Sequence, residues 1–155
     1  MTQINSVLGP IDSSDLGFTL MHEHVMVAAS GLSKSYPDLL GPNREERAIA
    51  CLKKAKAAGI NTLLDATTFD LGRDPELLRH VAFESGVNLI NVTGWWLDVP
   101  RFMLGVGANQ MADEFIRDIN EGFRGTDIKA GMLKCAADFE GVTPPLETMA
   151  RAVAR

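Results

Sequence analysis

The chain has 155 residues and a net charge of −5, so it is long enough for one domain but offers no basic surface for nucleic acid. Hydrophobic residues make up 46% of the sequence and charged residues 23%, a globular composition that excludes a disordered chain. We therefore expect a single domain over residues 1–155, without an internal boundary and without a nucleic-acid partner.

Hydrophobic periodicity divides the chain into alternating strands and helices. An extended piece at 7–11 and a turn at 12–17 come first. The pattern then predicts strands at 18–24, 60–66, 87–93 and 128–136, and helices at 44–58, 76–84, 111–123 and from 143 onward. Residues 30–43 are predicted to form a loop. Asp74 is expected to cap the second helix and Gly86 to end it.

The order of these elements indicates a fold class. Each predicted strand is followed by a helix, and this repeats four times, which is typical of βαβ units and a parallel sheet. The loops after the first and third strands are long, and such loops commonly hold binding residues.

Cysteine usage and the apolar segments indicate an intracellular chain. Cys51 and Cys135 are far apart and form no C-x-x-C motif, so we expect two reduced, buried thiols and no disulfide. The first residues lack the basic and apolar segments of a signal peptide. No apolar stretch approaches the roughly 18 residues of a spanning helix. We expect a soluble cytoplasmic protein without a membrane partner.

The tripeptide His22-Glu23-His24 is the sharpest candidate for chemistry. It ends the first predicted strand, on which Leu20, His22 and His24 would share one face and Glu23 would point away. Imidazole is the commonest protein metal ligand, and two rings at this spacing can converge on one ion. The alternative is a solvated or hydrogen-bonded pair without a metal.

Lys134 is the second candidate, because it lies within the apolar fourth strand. Burial disfavours the charged form of lysine and yields a neutral amine, which can form a Schiff base, act as a base or take up carbon dioxide as a carbamate. The alternative is a lysine that extends from an edge strand to solvent.

Trp95 and Trp96 follow the third strand and could line an apolar pocket for a substrate, or could simply pack in the core. Asp65 lies near the end of the second strand, among residues that are more typical of turns and caps. His80 lies within the second helix, and we expect it to be a surface residue without a role.

Taken together, these segments resemble the phosphotriesterase family of the amidohydrolase superfamily. The resemblance rests on the segments at 7–11 (VLGPI), 16–24 (LGFTLMHEH), 65–68 (DATT), 71–74 (LGRD), 93–94 (TG), 97–100 (LDVP), 129–134 (KAGMLK) and 141–144 (GVTP). The motifs fall in family order with family-like spacing and cover essentially the whole chain.

The resemblance implies an α/β fold, the TIM barrel, with a binuclear metal centre, usually zinc, at the carboxyl ends of the strands. His22 and His24 match the pair that binds the more buried metal, and Lys134 matches the lysine that is carbamylated and bridges both metals. A hydroxide between the metals attacks a phosphoryl or carbonyl centre. Trp95 or Trp96 falls about where the family places an aromatic side chain beside the metals.

The resemblance also implies a small-molecule substrate, namely a phosphotriester, a lactone or a related ester, and we expect a homo-oligomer. Two further histidines and an aspartate of the family's metal site have no counterpart in these 155 residues. We therefore expect the N-terminal half of a hydrolase, four βα units of a barrel, with inefficient hydrolysis by this chain alone. The first alternative is a non-catalytic half-barrel that self-associates or binds partners through its edge strands. The second is a longer gene product.

Overall fold

The computed structural model describes residues 2–97 and 99–155, so Asp98 of the 97–100 segment lies outside the described residues. A four-stranded parallel sheet runs through the chain in the order β3-β4-β5-β6. Its strands are β3 (Thr19–Glu23), β4 (Thr62–Asp65), β5 (Asn88–Gly94) and β6 (Met132–Lys134), and an antiparallel hairpin of β1 (Gln3–Ser6) and β2 (Gly9–Asp12) precedes them.

Helices follow the strands of the parallel sheet in the predicted alternation. They are α1 (Leu32–Ser35), α2 (Arg44–Ala57), α3 (Pro75–Ser85), α4 (Ala108–Asn120) and α5 (Pro144–Val153). The caps of α3 are confirmed, since the Asp74 side chain accepts from the Leu77 amide and Gly86 ends the helix at φ +71. The short helix α1 lies inside the segment that was predicted as loop. The sheet curls into a half-barrel, and the architecture is that of four βα units of a TIM barrel.

The sheet has an apolar core on each face. On the helix-covered outer face, one cluster contains Leu52, Leu63 and Leu89, and a second contains Phe115 and Met149 between α4 and α5. On the inner face, a third cluster contains Leu64, Ala66, Ile90 and Val92. Both faces are therefore anchored by buried strand residues, which fixes the direction of each neighbouring side chain.

The hairpin covers the amino-terminal end of the half-barrel. Ile4 packs against the inner apolar cluster, and the Val7 amide donates to the Leu89 carbonyl over 2.9 Å. The Asn5 side chain donates to the Ala130 carbonyl over 2.9 Å, while the Ala130 amide donates to the Asp118 carbonyl. Because these partners lie outside the sheet, residue 130 leaves the ladder, and β6 is shorter than the predicted strand at 128–136.

Both cysteines are free, as predicted, but the prediction that they are buried was wrong: Cys51 and Cys135 are exposed. Helix α2 buries Ala48 and Leu52 instead, which turns Cys51 toward solvent. Within the described ranges, no helix is long and apolar enough to cross a membrane.

Candidate metal centre

An extra residue in β3 determines the direction of the histidines. Leu20 pairs with Leu63, so regular pairing would bring Glu23 opposite Ala66, but Glu23 pairs with Asp65. The strand therefore contains a bulge between Leu20 and Glu23, which inserts one residue relative to β4.

The bulge places His22 on the inner face of the half-barrel. Paired residues of parallel strands point to the same side, so Glu23 shares the side of Asp65, and His22 lies on the opposite side. Leu20 packs against the outer cluster instead. The prediction that Leu20 shares a face with His22 and His24 was wrong, because strict alternation fails across a bulge. The His22 and His24 rings lie together, with centroids 5.5 Å apart.

Lys134 reaches the same face from the other edge of the sheet. It pairs with Gly94, and its Nζ donates to the Ala66 carbonyl over 2.8 Å. Gly94 has φ +103, and a Cβ at that position would lie 2.0 Å from the Lys134 carbonyl oxygen. Only glycine is compatible with this approach, so Gly94 allows the close packing of β6 that holds Lys134.

Burial favours the neutral forms of Lys134 and His24. Burial lowers the pKa of Lys134, while the negative charges of Asp70 and Asp65 oppose the shift. Burial also lowers the pKa of His24, and the neighbouring charges of Lys134 and His22 add to that effect. Neutral imidazole is the form that binds a metal, and a neutral amine is the form that reacts with carbon dioxide.

The His24 ring is held on its Nδ1 side by a series of hydrogen bonds. Its Nδ1 lies 2.9 Å from the Thr67 hydroxyl oxygen, and that hydroxyl donates to Asp65 Oδ1 over 2.5 Å. Asp65 and Thr67 are each 1% exposed. Burial raises the pKa of Asp65 to about 6, although hydrogen bonds from Thr67 oppose the shift. Sequence reasoning missed this role for Asp65 and Thr67, and the available signal was a D-x-T triplet at the end of a strand.

The two tryptophans occupy different environments. Trp95 is 8% exposed and packs in the α4–α5 cluster, with its ring edge-to-face against Phe115 and Phe102. It also lines a cavity of about 570 Å³ that includes Arg117. Trp96 is 42% exposed. Trp95 therefore packs in the core and also borders a cavity, whereas Trp96 is exposed to solvent.

The side-chain nitrogen atoms on the inner face are of types that can bind a metal, but there are few of them. His24 Nδ1 is engaged by Thr67, which leaves Nε2 for a metal, and His22 and Lys134 lie on the same face. Among residues 2–97 and 99–155, no three His, Cys, Asp or Glu side chains lie close enough together to hold an ion. The described residues place two imidazoles and a lysine on the inner face of the half-barrel. His80, as predicted, lies at the surface, where it pairs with Glu45 over 2.9 Å.

Comparison with known proteins identifies similar sequences. A family model for the phosphotriesterase family matches residues 2–155. A "phosphotriesterase homology protein" of Mycobacterium tuberculosis (strain CDC 1551 / Oshkosh) is 42% identical over 166 aligned positions, which cover 100% of this chain and 51% of that protein. An "aryldialkylphosphatase" of Saccharolobus solfataricus is 40% identical over 147 positions, covering 93% of this chain and 47% of that protein.

A relative with lower sequence identity is named for a different activity. An "N-acetyltaurine hydrolase" of Homo sapiens is 28% identical over 161 positions, covering 84% of this chain and 46% of that protein. The chain therefore spans about half the length of the curated relatives that it matches.

Proposed function

Because the chain belongs to the phosphotriesterase family, a hydrolase family, we propose that it supplies part of a metal-dependent active site for phosphotriesters, lactones or related esters. The observation that supports this proposal most directly is the grouping of His22, His24 and Lys134 on the inner face, at the carboxyl ends of β3 and β6. In parallel α/β folds, that edge of the sheet is where active sites lie.

The proposed ligands are the two histidines and a modified lysine. His24 would bind the ion through Nε2, since Nδ1 is engaged by Thr67, and His22 would bind beside it. The amine of Lys134 would add carbon dioxide and release a proton, which forms a carbamate with two oxygen ligands. The lowered pKa of Lys134 supports this step, because only the neutral amine attacks carbon dioxide.

Zinc is the proposed metal, as histidine and carboxylate-type oxygen are among its usual ligands. A bound divalent ion supplies Lewis-acid polarisation of the phosphoryl or carbonyl bond and a nucleophile at neutral pH. The chain's own contribution is to hold two imidazoles and a lysine on one sheet face. Trp95 and Trp96 are the proposed substrate contacts, because Trp95 lines the cavity and Trp96 is 42% exposed.

Zinc binding by the full chain tests the ligand assignment. The protein is loaded with zinc in bicarbonate buffer, desalted and analysed for metal content. We expect His22→Ala and His24→Ala to lose bound zinc, whereas His80→Ala, the control at a surface contact with Glu45, retains it. Equal zinc content in all three variants would contradict the proposal.

The carbamate has its own test. After incubation with ¹³C-bicarbonate, we expect a carbamate carbon signal in the NMR spectrum that disappears in Lys134→Ala and persists in Lys53→Ala, a control on the exposed face of α2.

Paraoxon and a set of lactones are then assayed with the zinc-loaded chain. We expect slow turnover by this chain alone that falls further in Lys134→Ala. Turnover unchanged by that substitution would remove Lys134 from the mechanism.

A second candidate function is self-association, and the sheet edges favour it. β3 and β6 each pair on one side only within the described part of the chain, and unpaired edges are templates for association. Met21 and Met132 are also exposed there. We propose that two copies associate through these strands. Light scattering coupled to size-exclusion chromatography tests this, and a monomer across the concentration range would exclude it.

A further inference from the structure

The Thr67 hydroxyl joins Asp65 to His24, two residues that are far apart in the sequence. The hydroxyl lies 2.9 Å from His24 Nδ1, 43 positions earlier in the chain, and 2.5 Å from Asp65 Oδ1. The Thr67 backbone amide donates to the same Asp65 oxygen over 3.1 Å. These contacts hold the hydroxyl between a carboxylate and an imidazole.

The Thr67 hydroxyl has a single proton, and this determines which atoms donate and which accept in the hydrogen bonds from Asp65 to His24. An ionised Asp65 can only accept, so the Thr67 hydroxyl donates to it. The hydroxyl oxygen is then the acceptor for the His24 ring, which must carry its proton on Nδ1. In a neutral ring with a proton on Nδ1, the lone pair resides on Nε2.

We propose that Asp65 and Thr67 are positioning residues that hold His24 in the tautomer protonated on Nδ1 and thereby present Nε2 to a metal. The metal part of this proposal rests on the proposed function, while the tautomer part concerns the chain alone. The proposal goes beyond a turn contact, because an Asp65–Thr67 turn requires only the backbone amide and would leave the hydroxyl free to rotate.

The neighbouring histidine provides an internal reference. Across the described residues, the His22 ring makes no side-chain hydrogen bond comparable to that between His24 and Thr67. Its tautomer is therefore expected to resemble that of free histidine, in which the proton resides mainly on Nε2. The two rings of one His-x-His motif should differ in tautomer even though their centroids are 5.5 Å apart.

The tautomer is measured in the metal-free full chain. At pH 8, long-range ¹H–¹⁵N correlation spectra distinguish the two ring nitrogens of each histidine. We expect the proton on Nδ1 in His24 and mainly on Nε2 in His22 and His80. Thr67→Val, which removes the hydroxyl at nearly constant volume, should shift His24 toward the Nε2–H form, and Thr67→Ser should restore the pattern of the unmodified chain.

Zinc affinity provides the second readout. Loss of an outer partner of a histidine ligand typically weakens metal binding by about 10–100-fold. We expect Thr67→Val to show a weakening of that order and Thr67→Ser to bind almost as tightly as the unmodified chain. Affinity that is equal in all three proteins would overturn the positioning role.

The two proposals can fail separately. If His24 of the unmodified chain carries its proton on Nε2, the Asp65–Thr67 proposal is wrong, and this outcome requires no variant to fold. If the tautomer is as expected but the unmodified chain binds no zinc, the tautomer proposal stands and the metal assignment under the proposed function fails.

Discussion

Replacing Asp65 with asparagine should change how the stability of the chain depends on pH. Burial raises the pKa of this carboxyl from its ordinary value of 3.8 to about 6. The folded state thus holds the Asp65 proton more tightly than the unfolded state does. The contribution of Asp65 to stability is present below pH 4 and is lost as the pH rises through 6.

The magnitude follows from the shift in pKa. Each pH unit of difference corresponds to about 1.4 kcal/mol, so a shift of about 2 units corresponds to about 3 kcal/mol. Asparagine has nearly the same shape but cannot ionise. The free energy of unfolding of the unmodified chain, relative to that of Asp65→Asn, should therefore fall by about 2.5 kcal/mol between pH 4 and pH 8, because a small part of the change lies below pH 4.

Urea unfolding followed by tryptophan fluorescence measures this difference, since Trp95 is buried and becomes exposed on unfolding. Subtracting the unfolding free energies of the two proteins at each pH removes the contributions of the titrating groups that do not interact with Asp65. Asp38→Asn, at an exposed carboxyl, is the control and should parallel the unmodified chain. A difference that is constant from pH 4 to pH 8, or that changes in the opposite direction, would refute the argument.

Two further predictions concern packing and are checked by the same urea titration. Gly94→Ala should destabilise the chain by at least about 2 kcal/mol, because its Cβ would meet the Lys134 carbonyl, whereas Gly105→Ala, at a similar positive φ in open space, should cost about 1 kcal/mol. Comparable losses in both would argue against the close approach of β5 and β6. Met149→Ala should cost about 2–5 kcal/mol, because that side chain is fully buried between α4 and α5, while the exposed Val142→Ala should stay within about 0.5 kcal/mol. A negligible loss for Met149 would mean that α5 is not docked.

The alternation of strands and helices could be predicted because it depends on local patterns. Strand β5 buries almost every residue, and helix α3 is bounded by the capping residues Asp74 and Gly86. Hydrophobic periodicity and capping residues were therefore enough to predict these elements. His22, His24 and Lys134 were candidates for the same kind of reason, since a His-x-His pair ends one apolar strand and a lysine lies within another.

The directions of these side chains could not be predicted, because they depend on pairing between strands. The bulge in β3 is defined only relative to β4, and it separates Leu20 from the histidines. The contact of His24 with Thr67 likewise joins residues 43 positions apart. Trp95 and Trp96 are adjacent in sequence, and only the packing of α4 and α5 distinguishes the enclosed ring from the exposed one.

Three local features together determine the geometry of the candidate centre. The bulge turns His22 to the inner face, the Asp65–Thr67 pair orients His24, and Gly94 allows β6 to bring Lys134 close to Ala66. Each feature belongs to a different strand of the sheet, and each acts through hydrogen bonds or close contacts with its neighbour. The positions of these two imidazoles and this amine therefore depend on contacts between neighbouring strands of the sheet. A substitution that disturbs one feature should therefore alter one ligand and leave the other two in place.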